Sequence, residues 1–210
     1  MKTITTIDFD IIMGPSIEGY NDLISPPKVT MSTLCKNFPY YNNALPDFYI
    51  YEYLTRYVTE MAKKVEKDED IIFISTHDQM YDVCKNEEAP FDLINIDHHH
   101  DINYHDNWNS KIIQINSGNW VKRLFDMNKI NEYIWISNPN SLMFDKENCP
   151  FADKIKVNTL QDFDLGGLAG VTDKLILCYS PEYLPDSSKA LFLTWRAIVE
   201  EVRDTDYLIT

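Results

Sequence analysis

The chain has 210 residues and a 44% hydrophobic fraction, which suffices for one compact domain, residues 1–210, with a sizeable core. Its formal net charge of -14 repels phosphate backbones and anionic lipid headgroups, so we expect no nucleic acid and no membrane among its partners. The four cysteines form no Cys-x-x-Cys pair, and neither a signal core nor a long apolar stretch occurs, which predicts reduced thiols and a cytoplasmic location.

Strand and helix patterns alternate along the chain. Runs of β-branched and apolar residues predict strands at 3–13, 70–76, 92–97, 111–115, 132–137, 154–157 and 173–179, with 154–157 at a sheet edge. Helical spacing of apolar residues predicts helices at 47–67, at 79–86, from 118 onwards and at 187–202. The alternation predicts an α/β fold, namely a three-layer α/β/α sandwich around a mostly parallel sheet.

Two segments interrupt this pattern. Residues 14–46 contain several prolines and are too long for an ordinary connection, so they form either a lid over a binding site or an excursion across the surface. Gly166, Gly167 and Gly170 predict a flexible turn before the last strand.

Side chains that commonly bind metals lie at the ends of three predicted strands: Asp8, Asp10, His77, Asp97, His99 and Asp101. Residues two apart share a face of extended chain, and the carboxyl ends of parallel strands meet at one edge. Carboxylates with imidazoles suit manganese, iron or zinc. Six ligands exceed what one ion takes while it keeps a water, so two bridged ions fit better and would lower the pKa of a shared water.

Each of these motifs also has a simpler interpretation. The histidines after residue 97 could be solvated loop residues, and Asp8 or Asp10 could cap a turn at the strand end. His77 could be a hydrogen-bonded core residue. The occurrence of all three motifs at one predicted sheet edge favours the metal site.

These residues resemble the motifs of a known family, the ureohydrolases, which include arginases and agmatinases. Asp97-His-His-His-Asp101 resembles the family's Asp-x-His-x-Asp motif, Asp8-Phe-Asp10 its Asp-x-Asp motif, and His77 its first histidine ligand. The nearest resemblance is to a poorly characterised branch that includes peptide arginases, which convert arginine within peptides to ornithine. Three further stretches resemble that branch: Gly118-Asn-Trp120, residues 133–136 and residues 176–183.

The resemblance implies an arginase-like fold and two divalent metal ions, with manganese as the metal. It implies that Asp8 and Asp97 bridge the ions, that His77 and Asp101 complete one site, and that Asp10 and His99 complete the other. The implied reaction is attack by metal-bound hydroxide on a guanidino group, which converts arginine or peptidyl arginine to ornithine and urea. The Asp-x-Asp strand comes late in the family and first here, which implies a circular permutation.

Two residues are candidates for the remaining catalytic roles. Glu182 follows a predicted strand and could pair with a guanidinium group through two hydrogen bonds, or it could be a surface turn residue. His100 is favoured over His98 and His105 as a proton shuttle. Trp120 is interpreted as a packing residue rather than a platform for the substrate.

Two other functions fit the same ligands. One is an amide hydrolase in the manner of the metal-dependent deacetylases, which use one zinc and fewer acidic ligands. The other is a binding module that metal stabilises without catalysis. Having both Asp10 and Asp101 favours two ions. The resemblance implies a substrate that bears a guanidino group, either a small molecule or a peptide. The sequence leaves the oligomeric state open.

Overall fold

The structure is a computed structural model that describes residues 1–13, 46–65, 70–88, 90–103, 114–139, 141, 144–147, 149–181, 184 and 188–207. The predicted lid or excursion at 14–46 lies outside the described residues except for Pro46, which forms an isolated antiparallel bridge with Met13. No helix in the described ranges combines the length and the hydropathy needed to cross a membrane.

Six parallel strands form one sheet in the described part of the chain. They are β1 (Thr3–Asp8), β2 (Ile71–Ile74), β3 (Phe91–Asp97), β4 (Ile130–Ser137), β5 (Ile155–Thr159) and β6 (Lys174–Cys178). Their order is β2-β6-β1-β3-β4-β5, and every neighbouring pair is parallel. The predicted edge strand at 154–157 is confirmed, because β5 lies at one end of this order.

Five α-helices flank the sheet among these residues. They are α1 (Phe48–Lys64), α2 (Gln79–Cys84), α3 (Trp120–Asp126), α4 (Leu165–Val171) and α5 (Ser188–Tyr207). Short 3-10 helices span Phe9–Ile12 and Ala152–Lys154.

The strands separate two hydrophobic cores because alternate side chains point to opposite faces. Ile7 and Ile96 pack with α1, α4 and α5, whereas Ile4 and Leu93 pack with α2 and α3. Helices therefore cover both faces of a parallel sheet. The predicted α/β class and three-layer α/β/α sandwich are confirmed.

The first predicted strand, 3–13, is too long. β1 ends at Asp8, and the chain turns at once into the 3-10 helix Phe9–Ile12, where the Asp8 carboxylate accepts a hydrogen bond from the Asp10 backbone amide. The β-branched composition favoured a longer strand, but the simpler interpretation, in which an aspartate caps a turn at the strand end, is confirmed for Asp8.

The glycines at 166, 167 and 170 do not form the predicted turn but lie in helix α4. The Asp164 carboxylate caps this helix by accepting from the Gly166 amide, and Leu165 and Leu168 anchor it in the core. A β-carbon at Gly166 would lie 3.1 Å from Asp164 Oδ1, so the small residue permits the close cap. Of the predicted strand 111–115, only residues 114 and 115 are described, and neither is in a strand.

Candidate metal centre

The last residues of two central strands, Asp8 and Asp97, are placed by the register of the sheet. β1 pairs with β3 up to Ile7 opposite Ile96, so the next residue of each strand is an aspartate. Asp97 lies opposite Ser137 on its other side, and Asp8 lies opposite Cys178. Both carboxylates therefore leave the sheet at its carboxyl edge, where ligands of open α/β sheets gather.

The first group of the candidate centre surrounds His77, which follows β2 at the same edge. His77 Nδ1 lies 2.6 Å from Asp101 Oδ2, 3.1 Å from Asp97 Oδ2 and 3.3 Å from Asp8 Oδ2. These separations resemble those of neighbouring ligands on one ion, since an octahedron with bonds of about 2.1 Å has edges of about 3.0 Å. Side chains of this group are at most 5% exposed.

The second group surrounds His99, two residues after the end of β3. Its Nδ1 atom lies 3.0 Å from Asp10 Oδ2 and 3.8 Å from Asp97 Oδ1. In this group, as among Asp8, His77 and Asp97, one ligand atom from each residue lies within 4.8 Å of the others. The structure thus contains two buried Asp/His groups that could hold metal ions.

Asp97 belongs to both groups, with one oxygen for each. Its Oδ2 atom faces His77 and its Oδ1 atom faces His99, as a carboxylate that bridges two ions must do. Asp8 is close to His77 but belongs only to that group, and Asp101 contacts His77 outside both three-residue groups. The bridging role implied for Asp8 stays a prediction.

Each side chain of the His77 group receives a hydrogen bond from a neighbour, or shares one with it. Ser180 Oγ donates to Asp8 Oδ2 at 2.7 Å, Asn95 Nδ2 to Asp97 Oδ2 at 3.1 Å, and Trp120 Nε1 to Asp101 Oδ2 at 2.7 Å, while Thr6 Oγ1 lies 3.2 Å from His77 Nε2. Such neighbours fix the orientation of metal ligands. The contact at Nε2 leaves His77 Nδ1 to face the carboxylates.

Sequence reasoning missed three of these neighbours. Thr6 and Asn95 could have been found, because each precedes a strand-end aspartate by two residues and so shares its face of the sheet. Ser180 carries no comparable local signal, since its contact with Asp8 depends on the pairing of β6 with β1 across 172 residues of sequence.

The buried carboxylates strongly perturb one another. Burial, followed by repulsion from Asp10 and Asp97, raises the pKa of Asp8 well above its usual value. Burial and the charge of Asp101 likewise raise the pKa of Asp97. A cation at this position would offset the repulsion and favour the ionised carboxylates.

The pKa values of the two histidines are also raised, which for an imidazole favours the charged form. Burial lowers the pKa of His77, but the charges of Asp101 and Asp8 outweigh burial and raise that pKa well above its usual value. Burial also opposes the charge on His99, yet the neighbouring Asp10 raises its pKa to about 9. Protons on these imidazoles therefore occupy the place of the cations, and metal binding must displace them.

The donor set fits divalent metal ions. Asp10 Oδ2 and His77 Nδ1 are both buried, and neither makes a hydrogen bond of acceptable geometry within the described ranges, although charged groups approach each of them closely. Buried charges of this kind are stable only when paired or bound to metal. Carboxylate oxygens and imidazole nitrogens are ligands for manganese, iron and zinc.

The predicted catalytic histidine, His100, turns toward aromatic residues. Its Nδ1 atom accepts a hydrogen bond from the Ile102 amide, and its ring packs edge-on against Trp135 and Phe144. Burial lowers its pKa to about 3, and burial lowers that of His98 to about 4. Both imidazoles are neutral at pH 7. Glu182 and His105, the other candidates, lie outside the described residues.

A cleft of 660 Å³ opens on the same edge of the sheet. Its lining includes Asp47, Tyr49, Ile50, Tyr53, Pro139, Leu160 and Gln161. Leu160 directly follows β5, and Pro139 follows Asn138, which donates hydrogen bonds to the carbonyl groups of Ile11 and Met13 just beyond Asp10. The cleft therefore lies on the side of the sheet edge where the Asp10 turn ends.

Comparisons with protein-family models, with curated proteins and with solved structures found no match to this chain. The resemblance to the ureohydrolases thus depends on the sequence motifs alone.

Proposed function

We propose that the chain is a binuclear metal-dependent hydrolase of the ureohydrolase type, which converts arginine or peptidyl arginine to ornithine and urea. The observation that supports this most directly is that Asp97 belongs to both groups, with its Oδ2 atom toward His77 and its Oδ1 atom toward His99. One oxygen of Asp97 toward each group is the arrangement expected of a carboxylate shared by two ions.

The two groups assign the ions to specific residues. His77, Asp8 and Asp101 would hold one ion and His99 and Asp10 the other, with Asp97 between them. Manganese is the metal that the resemblance implies. A pair of divalent ions lowers the pKa of a coordinated water, so that hydroxide becomes available at neutral pH.

The protein's own residues prepare the substrate and exclude water. A net charge of -14 attracts cations, which include both the metals and a guanidinium group. Two fully buried indoles, those of Trp120 and Trp135, contact the ligand residues. The Trp120 N–H donates to the Asp101 carboxylate, and the Trp135 N–H donates to the Asp97 carbonyl group. These donors hold the ligands without competing for cations, because an indole N–H cannot accept.

The leaving amine of the reaction must gain a proton. His100 is a poor source at neutral pH, since a group with a pKa of about 3 carries no imidazolium proton there. We retain Glu182 as the residue that pairs with the guanidinium group, on the basis of the motif alone, and we expect the proton for the amine to come from water.

The test combines metal counting with product analysis. Protein purified without chelator, and then loaded with Mn²⁺, is expected to contain two ions per chain by elemental analysis and to release urea from arginine or from an arginine-containing peptide. Ornithine in the product, identified by mass spectrometry, would fix the bond that is broken.

The same experiment separates the competing functions. One zinc per chain, with release of acetate from an acetyl-lysine peptide, would replace the proposal by a deacetylase-like amide hydrolase. Two bound ions without urea from either substrate would favour a metal-stabilised binding module. The absence of bound metal would refute the proposal of a metal-dependent hydrolase.

A further inference from the structure

Trp120 is the first residue of α3 and is completely buried. The centroid of its ring lies 5.1 Å from the centroid of the His77 ring. The packing role expected from the sequence accounts for its burial but not for the direction of its indole N–H group. Nε1 donates to Asp101 Oδ2 at 2.7 Å, and that same oxygen lies 2.6 Å from His77 Nδ1. Trp120 thus contacts two members of the candidate metal centre at once.

Contacts from α3 also fix the backbone of Asp101, which has an uncommon conformation. Its φ angle is 51°, in the left-handed region that residues with a β-carbon seldom adopt. A second contact from α3 holds it there, since the Val121 amide donates to the Asp101 carbonyl group at 3.2 Å. The start of α3 therefore fixes both the backbone and the carboxylate of this residue.

The chemistry of the indole suits this task. A carboxylate oxygen has two lone pairs, so Oδ2 can accept from Trp120 on one side and still bind a cation on the other. The indole is a donor only and carries no charge, so it favours the ionised carboxylate without repelling a metal.

We propose that Trp120 is a positioning residue for the metal centre, which acts by holding Asp101 Oδ2 toward the His77 ion. The inference rests on the metal centre of the proposed function but not on the reaction, because it concerns metal affinity alone. Loss of a neighbour that orients a metal ligand typically lowers metal affinity 10- to 100-fold.

The chain offers a matched control in Trp195. This residue is also completely buried, and its Nε1 atom donates to a side-chain oxygen, Thr55 Oγ1, at the same distance of 2.7 Å. Trp195 lies on α5 in the core on the opposite face of the sheet. Trp120→Phe and Trp195→Phe therefore each remove one buried indole hydrogen bond of the same length, and only the first should affect the centre.

The experiment is calorimetric titration of the full chain with Mn²⁺ for the wild type and both variants, with circular dichroism as the check on folding. Trp120→Phe is expected to weaken the tighter Mn²⁺ site about 10- to 100-fold, while Trp195→Phe leaves it within about twofold. Equal losses in both variants, or no loss in Trp120→Phe, would overturn the inference.

A double-mutant cycle with Asp101→Ala removes the remaining ambiguity. If Trp120 acts through Asp101, then Trp120→Phe causes no further loss of affinity once Asp101 is alanine, whereas independent losses that multiply would contradict the mechanism. Should Trp120→Phe fold poorly, Trp120→Met, an apolar and adaptable side chain that likewise lacks the N–H donor, with and without Asp101→Ala supplies the same cycle. A wild type that binds no Mn²⁺ overturns the inference together with the metal centre, whereas Mn²⁺ binding without urea release affects only the proposed reaction.

Discussion

The two Asp/His groups of the centre differ in how firmly they are held. In the His77 group, neighbouring side chains or a hydroxyl contact orient all four members, and no side chain is more than 5% exposed. In the His99 group, His99 is 13% exposed, and the described donor to the Asp10 carboxylate is the His98 backbone amide at 3.4 Å, while Asp97 is shared with the first group.

This difference predicts an order of binding. A rigid, preorganised set of ligands loses little entropy when it binds an ion, so we expect the His77 group to bind first and more tightly. We then expect an ion to exchange more readily at the His99 group, where the His99 side chain is 13% exposed. The shared carboxylate of Asp97 makes the second site depend on the first.

The change with the largest expected effect removes that shared carboxylate. Asp97→Asn leaves one oxygen and no charge between the groups, so the bound Mn²⁺ should fall from two ions per chain to one or none. Metal ions contribute several kcal/mol to transition-state stabilisation, so urea release should fall roughly 10³-fold. Elemental analysis and a urea assay measure both quantities. Two retained ions would refute the bridging role.

The next pair of variants tests the order of binding directly. His99→Ala should keep about one Mn²⁺ per chain with near-normal affinity, whereas His77→Ala should bind neither ion well, because the first site is lost and the second lacks its partner ion. Titration calorimetry resolves the two steps.

The reverse result would contradict the expected order of binding, in which the His77 group binds an ion first. If His77→Ala kept one tight ion and His99→Ala kept none, solvent exposure and not the set of orienting neighbours would decide which site fills first. Both variants remove one buried imidazole beside carboxylates, so each should also cost about 3–5 kcal/mol of stability, which chemical denaturation checks.

The sequence predicted the sheet and the approximate position of the site because both depend on local patterns. Apolar runs marked the strands, and the spacing of two between Asp97, His99 and Asp101 marked the ligands. The turn after Asp8 was predicted only as an alternative. The left-handed backbone at Asp101 was not predicted, since the conformation of a single residue depends on tertiary contacts. Contacts from Ser180 and Trp120 required the tertiary structure.

Bound metal should stabilise the fold as well as promote the proposed reaction. Without an ion, the pKa of Asp8 and that of Asp97 are raised by burial and by neighbouring carboxylates, so the ionisation of these two carboxyl groups opposes folding. Ligand linkage gives about 2.7 kcal/mol of stabilisation when free Mn²⁺ is 100 times its dissociation constant. Urea denaturation with Mn²⁺ and with EDTA measures the gain.

We expect this gain in stability from Mn²⁺ to depend on the His77 group more than on the His99 group. His99→Ala should keep most of the stabilisation by Mn²⁺ and His77→Ala should lose it. A gain that survives in both variants would place the stabilising ion elsewhere in the chain.

The smallest expected effect concerns one orienting neighbour of the first group. Ser180→Ala removes the hydroxyl that donates to Asp8 Oδ2, a hydrogen bond to a charged group that is 2.7 Å long and buried. We expect about a tenfold loss of Mn²⁺ affinity at the tighter site, at the lower end of the range for such neighbours, with the weaker site changed little. Calorimetric titration separates the two.

Ser137→Ala is the matched control for Ser180→Ala. Its hydroxyl also lies at the carboxyl edge of the sheet, beside Asp97 in the strand register, but donates to the Asn158 carbonyl group. It should leave both Mn²⁺ affinities unchanged. If Ser180→Ala weakened the two sites equally, Asp8 would bind both ions, as the ureohydrolase resemblance implies. The tighter binding of the His77 group would then come from its other members. A selective loss would instead confine Asp8 to the His77 ion and leave Asp97 as the one carboxylate described that joins the two sites.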